Sequence, residues 1–78
     1  MYTVNFEKPM HVHFIGIGGI SMSGLAEILL DEGFRVSGSD ARESALTRRL
    51  ESLGARVFYG QRAENIQPGT ELVVYTAA

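Results

Sequence analysis

The chain has 78 residues and a mass of 8.5 kDa, room for one small domain that buries about 60% of the surface its unfolded chain exposes. Hydrophobic residues make up 45% and charged residues 21%, which excludes an intrinsically disordered chain. A formal net charge of −2 gives no basic field for nucleic acid or an anionic membrane, and the absence of cysteine excludes disulfides, thiolate metal sites and cysteine nucleophiles. No apolar run approaches the roughly 18 residues of a membrane span. The first ten residues lack the basic-then-apolar pattern of a secretory signal, so the predicted location is cytoplasmic.

Residues 1–9 read as a lead-in closed by Pro9, which cannot sit in a central strand, and residues 10–78 read as the domain. His11 to Gly16 is a short apolar run that stops at glycine, a predicted strand. Gly16 to Gly19 forms a turn. From Ile20 to Glu32 the period becomes helical: Met22, Leu25, Ala26 and Leu29 share one face, widened by Ile28 and Leu30. Gly33 suits a left-handed cap. Phe34 to Gly38 reads as a second strand, Ser39 to Glu43 as a loop, and Ser44 as the cap of a second helix with Leu46, Leu50 and Leu53 on its apolar face. After Gly54, Ala55 to Tyr59 reads as a third strand. Gly60 to Thr70 is polar, with room for a helical turn around Ala63–Ile66, and Leu72 to Ala77 reads as a fourth strand.

Strands alternating with helices predict an α/β, Rossmann-like three-layer domain with a mainly parallel sheet and right-handed crossovers. The simplest strand order is 3-2-1-4. That order reverses between strands 1 and 4, and ligands bind at such a switch point, beyond the carboxyl ends of the strands. Those ends are Gly16–Ser21, Ser39–Asp40 and Thr76–Ala78. Strand 4 has no following helix in this sequence. The expectation is an N-terminal domain of a longer protein, with pairing of a second copy through the exposed sheet edge as the alternative.

The informative stretch is Gly16-Ile17-Gly18-Gly19-Ile20-Ser21-Met22-Ser23-Gly24. It follows a strand and opens a helix, where unpaired N–H groups and the positive end of the helix dipole meet an anion. Gly16 permits the turn, Gly18 and Gly19 clear space for a diphosphate, and Ser21 and Ser23 offer hydroxyls. Ser21 stands where the dinucleotide fingerprint has its third glycine; Gly24 follows three residues later and would let the helix pack close to the sheet. With no Lys or Arg between Pro9 and Phe34, backbone and hydroxyls must hold the anion. Asp40, twenty-two positions after Gly18, is placed to accept from a ribose hydroxyl or a uracil N–H, and would repel a 2′-phosphate. The alternative for Asp40 is a loop carboxylate serving nearby backbone.

Other candidates carry less. His11 and His13 share a strand face but have no evident third metal ligand. Arg48 and Arg49 read as a solvated helix face. Thr76 is the hydroxyl nearest the crevice on strand 4. The one lysine is Lys8, so the segment has no phosphate-loop lysine for ATP, and no catalytic triad or carboxylate pair is readable. The segment reads as a binding module without catalytic residues of its own.

The run His13 to Ala26 (HFIGIGGISMSGLA), with Val36-Ser-Gly-Ser-Asp40, Leu50 to Ala55 and Val73 to Ala77, resembles the Mur ligase family, closest to the branch that adds L-alanine to UDP-N-acetylmuramate. The resemblance implies a three-domain, ATP- and Mg2+-dependent ligase of peptidoglycan synthesis, and thus of cell-wall biogenesis, of which this segment is the N-terminal domain. It implies that UDP-N-acetylmuramate is bound here, that the ATP loop and catalytic residues lie in a central domain after Ala78, and that central and C-terminal domains of the same chain are this segment's partners. On the motif match, Gly16, Ile17, Gly18, Gly19, Ile20, Ser21, Met22 and Ser23 border the diphosphate, Ser39 and Asp40 face the uridine, and Thr76 and Ala77 line the other side. Many members have Gly at position 21 and Gly-His where this chain has Gly60-Gln61, so Gln61 would replace any histidine contact. The alternatives are the ligase that recycles murein tripeptide and an NAD-binding module.

Overall fold

A computed structural model describes residues 10–60 and 68–75. In chain order the elements are β1 (His11–Ile15), α1 (Ile20–Asp31), β2 (Arg35–Asp40), α2 (Ala45–Ser52), β3 (Arg56–Tyr59) and β4 (Leu72–Val74). The four strands form one parallel sheet in the order β3-β2-β1-β4, as the strand–helix alternation predicts. The helical turn expected around Ala63–Ile66 falls outside the described residues.

The two crossovers step in the same direction across the sheet. Right-handed connections therefore place α1 and α2 on one face, side by side. Arg49 of α2 reaches Glu27 of α1 through a two-pronged pair, Nη2 at 2.7 Å and Nε at 3.2 Å. The expectation of a purely solvated Arg49 is corrected by that contact.

Strand alternation sorts the sheet's two faces. Val12, Phe14 and Val36 join Met22, Ala26, Leu29, Leu50 and Ala55 in the core beneath the helices. His11, His13 and Ser37 lie on the opposite face, where β1 and β2 pair His13 with Ser37. β2 runs on through Ser39 and Asp40, which the sequence reads as loop; their pairing with Phe58 and Tyr59 of β3 extends the ladder. Gly33, at φ 89°, ends α1 in the left-handed conformation expected of it.

The α1 face differs from its predicted one. Met22, Ser23, Ala26 and Leu29 are buried, whereas Leu25 and Ile28 are exposed. Gly24 faces open space, with nothing within 4 Å of a Cβ built there, so it does not bring the helix close to the sheet. In α2, Leu50 is buried with Thr47, and Leu53 is exposed.

Candidate functional site

The carboxyl ends of β1 and β2 meet at the turn into α1. The turn is held at three points. Gly16 N–H and Ile17 N–H both donate to the Ser39 carbonyl, at 2.8 and 3.0 Å. Gly18 N–H donates to Asp40 Oδ2 at 2.8 Å. Gly19 N–H donates back to the Gly16 carbonyl at 3.1 Å. Four of the loop's N–H groups are therefore already used inside the protein.

What remains is the start of α1. Gly19 is the N-cap, with φ −65° and ψ 150°, and it offers no side-chain cap. Ser23 N–H bonds the Gly19 carbonyl, the first turn of the helix. The N–H groups of Ile20, Ser21 and Met22 precede that bond and have no carbonyl to reach within the helix. No acidic side chain stands in the first turn to offset the dipole. The exposed Ser21 hydroxyl lies beside them. Ser23, by contrast, is buried and its hydroxyl donates to the Ile20 carbonyl at 3.1 Å, so it is not a spare donor for an anion.

The other expected site residues differ in their surroundings. Ile17 is fully buried, its side chain lying over Gly38, so it anchors the loop from beneath. Met22 is buried in the core beneath its own N–H. Ile20 is 86% exposed at the lip of the seat. Ser39 is buried, and its carbonyl is the group that serves the loop. Asp40 uses both oxygens on backbone: Oδ2 on Gly18, and Oδ1 on Ala41 N–H at 2.8 Å. Thr76, Ala77 and Gln61 lie outside the described residues.

Sequence reasoning passed over two neighbours of the site. Thr47 closes the capping box of α2 with Ser44, and its methyl stands against Gly18. Tyr59, opposite Asp40 across the β2–β3 ladder, sets its hydroxyl 3.0 Å from Thr47 Oγ1 and 2.9 Å from Glu51 Oε1. Its phenol pKa is raised, chiefly by burial. The Thr signal was faint because a capping box ordinarily carries Glu or Gln at that position.

His11 and His13 share Ser37 as predicted neighbours of one face: Nε2 of His11 at 3.0 Å and Nδ1 of His13 at 2.8 Å from its Oγ. Their second ring nitrogens are buried without a hydrogen-bond partner. Burial lowers both pKa values; Arg35 lowers that of His11 further against an opposing pull from Glu71, and His11 lowers that of His13. Among the described residues no three His, Asp or Glu side chains gather to hold a metal ion.

A parallel sheet in the order β3-β2-β1-β4, with a glycine loop running from its first strand into a helix, defines a Rossmann-like α/β domain. The model of the Mur ligase family, catalytic domain, matches residues 11–78. The UDP-N-acetylmuramate–L-alanine ligase of Agathobacter rectalis is 65% identical over 78 residues, all of this chain and 17% of that relative. The ligase of the same name from Lachnoclostridium phytofermentans is 64% identical over the same share of each. Among solved structures, a murein peptide ligase from Psychrobacter arcticus superimposes with a TM-score of 0.79 at 36% identity, covering 85% of this chain and 14% of that one. The chain belongs to the Mur ligase family and spans about 17% of the length of these curated relatives.

Proposed function

We propose that this chain is the N-terminal, UDP-binding part of a ligase that joins L-alanine to UDP-N-acetylmuramate in peptidoglycan synthesis. One observation carries the reading: α1 begins with three unused N–H groups, at Ile20, Ser21 and Met22, and no cap of its own. A diphosphate supplies the missing acceptors and the negative charge that the helix start favours. Asp40 and the end of β3 lie on the side where the nucleoside follows. The names of the relatives, alanine ligases at 64–65% identity, favour the alanine-adding branch over tripeptide recycling. Family membership favours a UDP-sugar over NAD.

The described residues offer no feature that calls for ATP or Mg2+. Lys8, the one lysine, lies outside them, and no carboxylate cluster is present among them to bind the ion. We place both, with the acyl-transfer chemistry, elsewhere in the full-length protein. No helix among the described residues is long and apolar enough to cross a membrane.

Parallel titrations with UDP, NAD and ATP test the reading. UDP is expected to move the amide resonances of Ile20, Ser21 and Met22, and ATP to leave them in place until far higher concentration. Saturation by NAD at concentrations well below those needed for UDP would overturn it.

A further inference from the structure

We propose that Asp40 is a positioning residue that straps the glycine loop to the end of β2, and that position 18 is glycine to admit this strap. The inference deepens the proposed diphosphate site and rests on that reading for its functional consequence, though not for its structural one.

Gly18 is not among the positive-φ glycines, which are Gly16, Gly33, Gly54, Gly60 and Gly69. Its backbone therefore demands no glycine. A Cβ at position 18 would instead lie 2.7 Å from Asp40 Oδ2 and 3.1 Å from Thr47 Cγ2. Thr47 cannot retreat easily: it is fully buried, and its hydroxyl is held by both the N–H and the carbonyl of Ser44. The space over Gly18 is filled by protein, and what fills it is the carboxylate that takes the Gly18 N–H at 2.8 Å.

The other oxygen of Asp40 takes the Ala41 N–H at 2.8 Å. Both oxygens thus face donors. A carboxylate satisfies the two, whereas an asparagine would set its NH2 against one of them. The strap has a functional consequence. With Gly18 N–H held by an anion, an incoming phosphate is turned away from the loop and onto the helix start at Ile20, Ser21 and Met22. Asp40 acts on the register of the diphosphate through the loop, whatever its remaining lone pairs accept from the nucleoside.

The test is a double-mutant cycle in the full-length chain: Gly18→Ala, Asp40→Ala and the double variant, with Asp40→Asn as a milder member. In ligand-free protein, exchange of the Gly18 amide is expected to quicken about tenfold or more in Asp40→Ala, the loss of one charge-assisted bond, and less in Asp40→Asn. UDP affinity is expected to fall about tenfold in each single variant, with the double variant no weaker than the weaker single one, because the alanine at 18 no longer has a carboxylate to displace. Unchanged Gly18 exchange in Asp40→Ala overturns the strap, and so do UDP losses that multiply in the double variant. If the wild-type chain binds no uridine nucleotide, the proposed function fails while the exchange result still decides the strap.

Discussion

Ile17 occupies the place where a side chain at Gly38 would stand. A Cβ at Gly38 would lie 2.6 Å from Ile17 Cδ1, 2.7 Å from its Cβ and 2.8 Å from the Phe14 carbonyl. Backbone and a fully buried side chain cannot both move aside, so Gly38→Ala overpacks the joint between β1, β2 and the loop. The expected cost is about 1–3 kcal/mol, and a domain of this size converts each kcal/mol into roughly 4–8 °C of Tm. Gly24 is the contrasting case. It sits in the middle of α1 with nothing near it, so Gly24→Ala is expected to raise stability by about 0.5–1 kcal/mol. Thermal unfolding of both variants beside the wild type checks the pair; equal midpoints for the two would sink the packing account. The sequence places Gly24 in a helix and Gly38 in a strand but does not say which has room for a side chain. Only the register that brings Ile17 over β2 decides that, and register across strands is not a local property.

The two helices begin in opposite ways. α2 is self-sufficient: Ser44 accepts from Thr47 N–H at 3.2 Å, and Thr47 Oγ1 accepts from Ser44 N–H at 2.8 Å. That cap was legible, because Ser before an apolar helical run is a local signal. α1 has no such device, and Gly19 at its N-cap has extended dihedrals that any residue adopts. A Cβ there meets the Gly16 carbonyl at 3.4 Å and Met22 Cγ at 3.7 Å, ordinary contacts. Gly19→Asp is therefore expected to fit, cap the helix and stabilise the fold by about 0.5–1 kcal/mol. The same carboxylate would sit in the anion seat and lower UDP affinity, by about tenfold or more from charge repulsion alone. Chemical denaturation and nucleotide titration of that variant read the two effects separately; a stabilised variant with intact affinity would place the diphosphate elsewhere. The apolar face of α1 was less legible. Ile20, Leu25 and Ile28 are exposed on a helix whose 12 residues include only two charges, so apolar periodicity alone could not say which side meets the sheet.

At the scale of the whole molecule, strand order followed from the strand–helix alternation, since sequential parallel strands leave few arrangements. The unused N–H groups at Ile20–Met22 were legible as a glycine loop before a helix. The spending of the other loop N–H groups on Ser39 and Asp40 was not, because it depends on where β2 ends. The same ladder makes a polar pair that composition hides. His11 and His13 are 6% and 0% exposed, and both bond Ser37. One hydroxyl carries one proton and two lone pairs, so at most one ring accepts from Oγ and at least one donates to it, which neutral rings in the matching tautomers satisfy. Protonation would add a charge where His11 Nδ1 and His13 Nε2 have no partner. Burial first, then Arg35 for His11 and His11 for His13, hold both pKa values below the usual 6.5, with Glu71 opposing at His11. Below 6.5 the unfolded chain takes up protons that the folded chain refuses. Stability is thus fully present above that value and falls as pH drops through it toward the lowered folded values, by at most about 1.4 kcal/mol per pH unit for each histidine. Urea unfolding at pH 8, 7, 6 and 5.5 is expected to give a plateau followed by a decline. In His13→Asn, which keeps a short polar group toward Ser37 but removes one titrating ring, the decline is expected to be about half as steep, one proton in place of two. A wild-type stability that stays level from pH 7 to 5.5, or a His13→Asn variant with the full slope, would show that the pair does not titrate with folding.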